Sequence, residues 1–290
     1  MNRQTDDAAM IFEVGPRDGL QSLSLEVPTQ EKIRLVNALA QSGFTKIETT
    51  SFVSPKWVPQ LKDAAQVMQG IMRKPGVRYT VLTPNLRGFE HALKAGADEI
   101  AIFASASEAF SRANLNCSID ESLERFEPVL EQARIAGLPV RGYLSAVIAC
   151  PFEGAVAPGQ VCDVAARLLQ MGCYEVSLGD TIGAGNRETM AALLDVLLDT
   201  MSADLLAGHF HDTHGTALEM IRHCVERGMR TFDSSVGGLG GCPYAPGSSG
   251  NVATGAVVAL LEAMGLRTGI DHTALQAAET IAASILKDAA

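Results

Sequence analysis

Thr29-Gln30-Glu31-Lys32-Ile33-Arg34-Leu35-Val36-Asn37-Ala38-Leu39-Ala40-Gln41-Ser42-Gly43-Phe44-Thr45-Lys46-Ile47-Glu48-Thr49-Thr50 holds one full period of the pattern from which the fold is read. Ile33, Val36, Leu39 and Ala40 recur at helical spacing, so Thr29–Ser42 presents one apolar face. Gly43 follows directly, where a glycine tolerates the left-handed backbone that closes a helix. Lys46–Thr50 comes next, short and β-branched enough to read as a strand. The same junction recurs at Ala95-Gly96, Ala136-Gly137, Met171-Gly172 and Arg227-Gly228. Five such junctions indicate a repeated strand–helix unit.

Working outward from that unit, strands are expected at Ile11–Val14, Lys46–Thr50, Tyr79–Leu82, Glu99–Phe103, Val140–Leu144, Glu175–Leu178, Leu206–Phe210 and Thr231–Ser234. Helical patterns separate them, among them Ile119–Ala136, Pro158–Met171, Glu188–Met201 and Ala217–Arg227. Strands alternating with helices imply a parallel sheet. Eight of them suit an α/β fold of the (β/α)8 TIM-barrel type with additional C-terminal helices. An open doubly wound sheet is the rival, weakened by the lack of a GxGxxG or phosphate-loop sequence after the first strand. No linker divides the chain, so residues 1–290 read as a single catalytic domain. The barrel is expected at about residues 10–250, and two or three helices at about 251–286 cover it.

Composition narrows the function. The chain has 290 residues, 47% hydrophobic and 19% charged, ample for a large core and too apolar for disorder. Its net charge of −10 argues against a nucleic-acid binder. No run approaches the roughly 18 apolar residues of a membrane helix. The N-terminal residues resemble neither a secretory signal nor a transit peptide, so a cytoplasmic location is expected. The six cysteines (Cys117, Cys150, Cys162, Cys173, Cys224 and Cys242) form no CxxC pair. They are expected to be reduced, most of them as small buried hydrophobes.

In barrels of this kind chemistry collects where the strands end and the following loops begin. Here those positions carry Arg17, Asp18 and Gln21 after the first strand, Glu48 in the second, Arg141 and Tyr143 in the fifth, and Asp180 after the sixth. His209, His211 and Asp212 mark the seventh. Residues two apart on a strand face the same way, so both imidazoles point to one centre. A lone histidine there is more often a hydrogen-bonded core residue; two on one face point to a metal. Asp18 would lie close by, because the first and eighth strands adjoin in a closed barrel. An imidazole and carboxylate set with room for water suits Mg²⁺ or Mn²⁺, and its ligand types are compatible with Zn²⁺. Arg17 is placed to stabilise an oxyanion rather than to form a surface ion pair. Glu48 on an interior strand needs a partner, and Arg17 is the natural one. Cys242, behind Gly238, Gly240 and Gly241, reads either as an inert turn residue or as an acid/base group on a mobile loop.

Several blocks carry a resemblance. They are Glu13-Val14-Gly15-Pro16-Arg17-Asp18-Gly19-Leu20-Gln21, Ile47 through Pro59, Val81 through Leu86, Asn116 through Ile119, Gly172 through Glu175, and Ser177 through Gly183. The last runs from Ser234-Ser235-Val236 into Gly238-Leu239-Gly240-Gly241-Cys242-Pro243-Tyr244-Ala245. From Glu13 to about Gly269 the chain resembles the 3-hydroxy-3-methylglutaryl-CoA lyase family. The resemblance implies metal-dependent cleavage of that acyl-CoA to acetyl-CoA and acetoacetate, with the metal, Mg²⁺ or Mn²⁺ by ligand type, held by Asp18, His209, His211 and Asn251. It also implies catalytic roles for Arg17, Asp18, His209 and Cys242, with Gln21, Glu48, Tyr143 and Asp180 around the acyl group and Asn114 near the coenzyme. A homodimer is implied as well. Ser24, Phe152, Phe210 and Gly237 depart from residues that some relatives carry, which leaves the acyl chain open. A lyase for citramalyl-CoA or a longer branched glutaryl-CoA is the alternative. A synthase of the isopropylmalate type and a non-catalytic barrel stand further off. The C-terminal Lys287-Asp288-Ala289-Ala290 lacks the cysteine-bearing tail and peroxisomal signal of some relatives, so no tail-thiol switch is expected.

Overall fold

The computed structural model describes residues 7–24, 26–240 and 250–289, with side chains to residue 287. Eight parallel strands close into a barrel: β1 (Met10–Glu13), β2 (Lys46–Ser51), β3 (Arg78–Leu82), β4 (Glu99–Ser105), β5 (Val140–Ser145), β6 (Val176–Asp180), β7 (Leu206–Phe210) and β8 (Thr231–Ser234). Each strand pairs with its neighbours in chain order, and β1 pairs with both β2 and β8. The open-sheet rival is thereby excluded. Strand positions match the sequence reading to within one or two residues at each end.

Helices α1 (Thr29–Gln41), α2 (Ala64–Gly70), α3 (Leu86–Lys94), α4 (Glu108–Leu115), α5 (Ile119–Ala136), α6 (Pro158–Met171), α7 (Arg187–Thr200) and α8 (Ala217–Glu226) lie between the strands. The C-terminal segment forms two helices, α9 (Thr254–Ala263) and α10 (His272–Ala289). The helix C-terminal glycines Gly43, Gly96, Gly137, Gly172 and Gly228 all take positive φ, between 68° and 111°. The junction pattern thus has the backbone cause assigned to it.

The main apolar core lies between strands and helices. Leu35, Val36 and Leu39 of α1 are fully buried there with Ile47 of β2 and Ile100 of β4. Because a parallel strand is covered on both faces, its other side must also be filled. Here that inner side is largely polar, with Glu48, Thr80, Glu99, Arg141, Ser177 and Asp233 each no more than 2% exposed. Buried charges persist only when paired, so the interior is organised by ion pairs. Arg141 illustrates this: it sits inside the barrel against Asp233 and Glu175, not at the rim with Tyr143 as the sequence suggested. A hairpin of Ala149–Cys150 with Gly154–Ala155 follows β5 and was not foreseen. The five described cysteines are free and buried. Among the described residues no helix is long and apolar enough to cross a membrane.

Candidate active site

The chain leaves β1 through a turn at Gly15–Gly19 wound more widely than an α-helix, in which Gly19 N–H reaches back to Val14 O. Such π-type turns change the direction in which side chains project, and they cluster at functional sites. Gly19 has no room for a side chain: an added Cβ would lie 2.7 Å from Leu239 Cβ. The turn therefore packs directly on the segment after β8. It delivers Arg17 and Asp18 to the mouth of the barrel.

The Arg17 Nε donates to Glu48 Oε2 at 2.6 Å, and its NH1 pairs with Asp18 Oδ1. The Tyr143 hydroxyl donates to the same Glu48 oxygen at 3.0 Å, and the guanidinium lies 5.2 Å from the centre of the tyrosine ring. The partnership expected between Arg17 and Glu48 is present. A register shift in the β2–β3 pairing between Glu48 and Thr50 adjusts this part of the strand. Burial pushes the Glu48 carboxyl up, against the pull of Arg17. Its other oxygen, Oε1, is buried with no protein partner, an acceptor that a substrate hydroxyl can meet.

Opposite this group, β7 presents His209 and the residue just past its end, His211, with ring centres 5.7 Å apart. His209 Nε2 is 3.8 Å from Asp18 Oδ2. One ligand atom from each of Asp18, His209 and His211 lies within 4.8 Å of the others. Asn251 is brought alongside by an antiparallel bridge to His211, and its amide donates to Asp18 Oδ2 at 2.7 Å. The four residues named from the sequence as metal ligands thus converge.

Their protonation states suit a cation. Burial opposes ionisation of Asp18, but the Arg17 charge and both histidines outweigh it and hold the carboxyl down at about 2. Burial, aided by the His209 charge, lowers His211 to about 4, so it is neutral at pH 7. Metal binding needs this combination of ionised carboxylate and neutral imidazole. His211 Nδ1 is, moreover, a buried nitrogen without a protein partner. A buried polar atom left unpaired is costly, and a cation or ordered water at this cluster removes part of that cost.

The remaining expected residues are less uniform. Gln21 is half-buried just beyond the Gly15–Gly19 turn, and Asn114 is exposed on α4. Asp180 is fully buried at the end of β6, where its two oxygens accept from Ala184 and Gly185 amides at 3.1 and 2.7 Å. That geometry makes it a brace for the following turn. Cys242 lies outside the described residues. Asp233 escaped the sequence reading, although it joins Arg141, Ser177 and His209 in one network. A lone acid in Thr231–Ser234 looked like any strand residue until its register beside His209 was known.

A family model described as HMGL-like matches residues 8–281. The chain belongs to the HMGL-like family. It is 52% identical over 278 residues to the mouse (Mus musculus) protein named 3-hydroxy-3-methylglutaryl-CoA lyase, cytoplasmic, covering 96% of this chain and 81% of that one. A Pseudomonas aeruginosa protein named 3-hydroxy-3-isohexenylglutaryl-CoA/hydroxy-methylglutaryl-CoA lyase is 52% identical, with 96% of this chain and 93% of that one covered. The crystal structure of the HMG-CoA lyase from Brucella melitensis superposes with a TM-score of 0.95 at 54% identity, covering 97% of this chain and 99% of that one. The barrel fold is thus shared with a solved HMG-CoA lyase.

Proposed function

We propose that this protein is a divalent-cation-dependent carbon–carbon lyase that cleaves 3-hydroxy-3-methylglutaryl-CoA to acetyl-CoA and acetoacetate. The observation that carries the reading is the convergence of Asp18, His209 and His211 beside the buried cation of Arg17. Relatives named for this activity at about half identity over nearly the whole chain support it.

The reaction is a retro-aldol cleavage of the Claisen type. The C3 hydroxyl loses its proton, the C2–C3 electron pair moves toward the thioester, and C3 becomes the ketone carbon of acetoacetate. C2 then takes up a proton to give the acetyl group. Asp18, His209, His211 and Asn251 would hold a Mg²⁺ or Mn²⁺ ion, whose Lewis acidity makes the hydroxyl proton easier to remove. Asp18 is the group placed to accept that proton, because His209 has its Nδ1 on Asp233 and its Nε2 toward the cation site. Arg17 faces the thioester oxygen as it gains enolate charge, and its bonds to Glu48 and Asp18 hold the guanidinium in place before the charge develops. Glu48 and Tyr143, joined by a hydrogen bond, line the acyl site with Gln21, while Asp180 braces the turn after β6. Asn114 contacts the coenzyme, and Cys242 protonates C2.

The protein is a cytoplasmic homodimer in this reading, as the resemblance and the names of some relatives suggest. Light scattering at micromolar concentration checks the dimer. The deciding assay is turnover of 3-hydroxy-3-methylglutaryl-CoA by chelator-stripped protein, with and without added Mg²⁺ or Mn²⁺. The expected result is activity only after cation addition. Undiminished turnover in chelator removes the cation from the reaction, and no turnover under any condition removes the substrate.

A further inference from the structure

Inside the barrel, one step below the mouth, Asp233 of β8 receives four hydrogen bonds. The Arg141 NH1 and NH2 donate to its Oδ2 and Oδ1 at 3.0 and 2.7 Å, and Ser177 Oγ donates to Oδ2 at 2.7 Å. The fourth contact is His209 Nδ1, 3.0 Å from Oδ2. Arg141 is itself immobilised: Nε donates to Glu175 Oε2 at 2.8 Å, and the guanidinium lies 4.2 Å from the centre of the Phe12 ring. Arg141 and Ser177 are fully buried and Asp233 is 2% exposed. Strand register enforces the arrangement, since Asp233 is the lateral partner of Phe12 on one side and His209 on the other.

We infer that Asp233 is a positioning residue that fixes the tautomer and plane of His209 for cation binding. The inference rests on reading Asp18, His209 and His211 as a divalent-cation site. A carboxylate in a two-pronged pair with a guanidinium is an acceptor only. The His209 nitrogen facing it must therefore carry the proton, which leaves the Nε2 lone pair directed at Asp18 and His211. Ligating histidines commonly have their other nitrogen held by a carboxylate in this way, and loss of that carboxylate weakens metal binding by about 10- to 100-fold. Arg141 and Ser177 serve the same end by denying Asp233 any other orientation. The network sits on four adjacent strands, so the site is shaped before a cation arrives.

The test uses full-length protein with ¹⁵N-labelled histidine and Mn²⁺ as the probe. Long-range ¹H–¹⁵N spectra of the unsubstituted, metal-free protein should show His209 protonated at Nδ1. The Nε2-protonated form there overturns the inference without any variant. Mn²⁺ binding followed by electron paramagnetic resonance should weaken about 10- to 100-fold in Asp233→Asn. The amide can keep its oxygen on Arg141 and turn its NH2 toward His209, which would favour the opposite tautomer. A folded Asp233→Asn with the original Mn²⁺ affinity and tautomer assigns Asp233 a purely structural role and refutes the proposal. Failure of the unsubstituted protein to bind Mn²⁺ instead defeats the cation-site reading itself, and this inference falls with it.

Discussion

Glu13→Gln should remove a pH dependence of folding that the buried Glu13 imposes. Glu13 ends β1 with no exposed surface. Its Oε1 accepts from the Gly15 and Val236 amides at 2.8 and 2.9 Å, and its Oε2 accepts from Thr254 Oγ1 at 2.6 Å. Burial pushes the carboxyl from its ordinary 4.5 up to about 7, despite those three donors, and the Glu279 charge adds to the rise. Between these pH values the unfolded chain releases the proton and the folded one keeps it. The stability involved is therefore fully present below about pH 4.5 and is lost as pH rises toward 7. At ~1.36 kcal/mol per pH unit, that interval is worth about 3 kcal/mol. For 290 residues, at ~2.1 cal/mol/K each, this amounts to ~5 °C in Tm.

Glutamine reproduces the neutral acid. Its oxygen accepts from the two amides, and its NH2 donates to Thr254 Oγ1, which can pass a proton on to Ser234 Oγ at 2.8 Å. Urea unfolding followed by circular dichroism, from pH 4.5 to 8, should show the variant gaining about 3 kcal/mol on the unsubstituted protein across the range. Other titrating groups are common to both proteins and cancel in the difference. Parallel stability curves would refute the argument, because Glu13 would then ionise alike in folded and unfolded chains.

Three further outcomes are expected. Arg17→Gln removes a cation about 4 Å from a developing enolate; at an effective dielectric of ~20 this is about 4 kcal/mol, or ~10³ in kcat. A loss under tenfold would exclude that role for Arg17. His211→Ala should abolish tight Mn²⁺ binding in a resonance titration, and an unchanged titration refutes its assignment as a ligand. Cys242→Ser should lower kcat by ~10²–10⁴ while metal content stays intact, the range of a lost acid/base group; near-original turnover removes the thiol from the reaction.

The strand–helix repeat was legible because it depends on local properties. Ile33, Val36 and Leu39 report the helical period, and Gly43 reports a backbone conformation that other residues adopt with strain. His209 and His211 were legible for a similar reason: a strand has a period of two, so their shared orientation follows from spacing alone. The ring closure that brings Asp18 beside them followed from counting strands. Arg141 shows the limit of that reasoning. Its place near Tyr143 in the chain suggested the rim, but two residues along a strand are a different depth in the barrel, and its partners arrive from the residue just before β6 and from β8.

The amino-acid sequence by itself determined the repeating unit, the alternation of faces on each strand, and which residue types collect after the strand ends. These follow from local backbone preference and periodicity. Tertiary structure alone decided that Glu48 leaves Oε1 unpaired, that Asp180 braces a turn through backbone amides, and that Asp233 grips His209. The Glu48 and Asp233 contacts depend on register between strands apart in the chain, the Asp180 brace on the path of the turn that follows it, and all three on low-dielectric burial that makes one choice of partner far cheaper than leaving a charge alone.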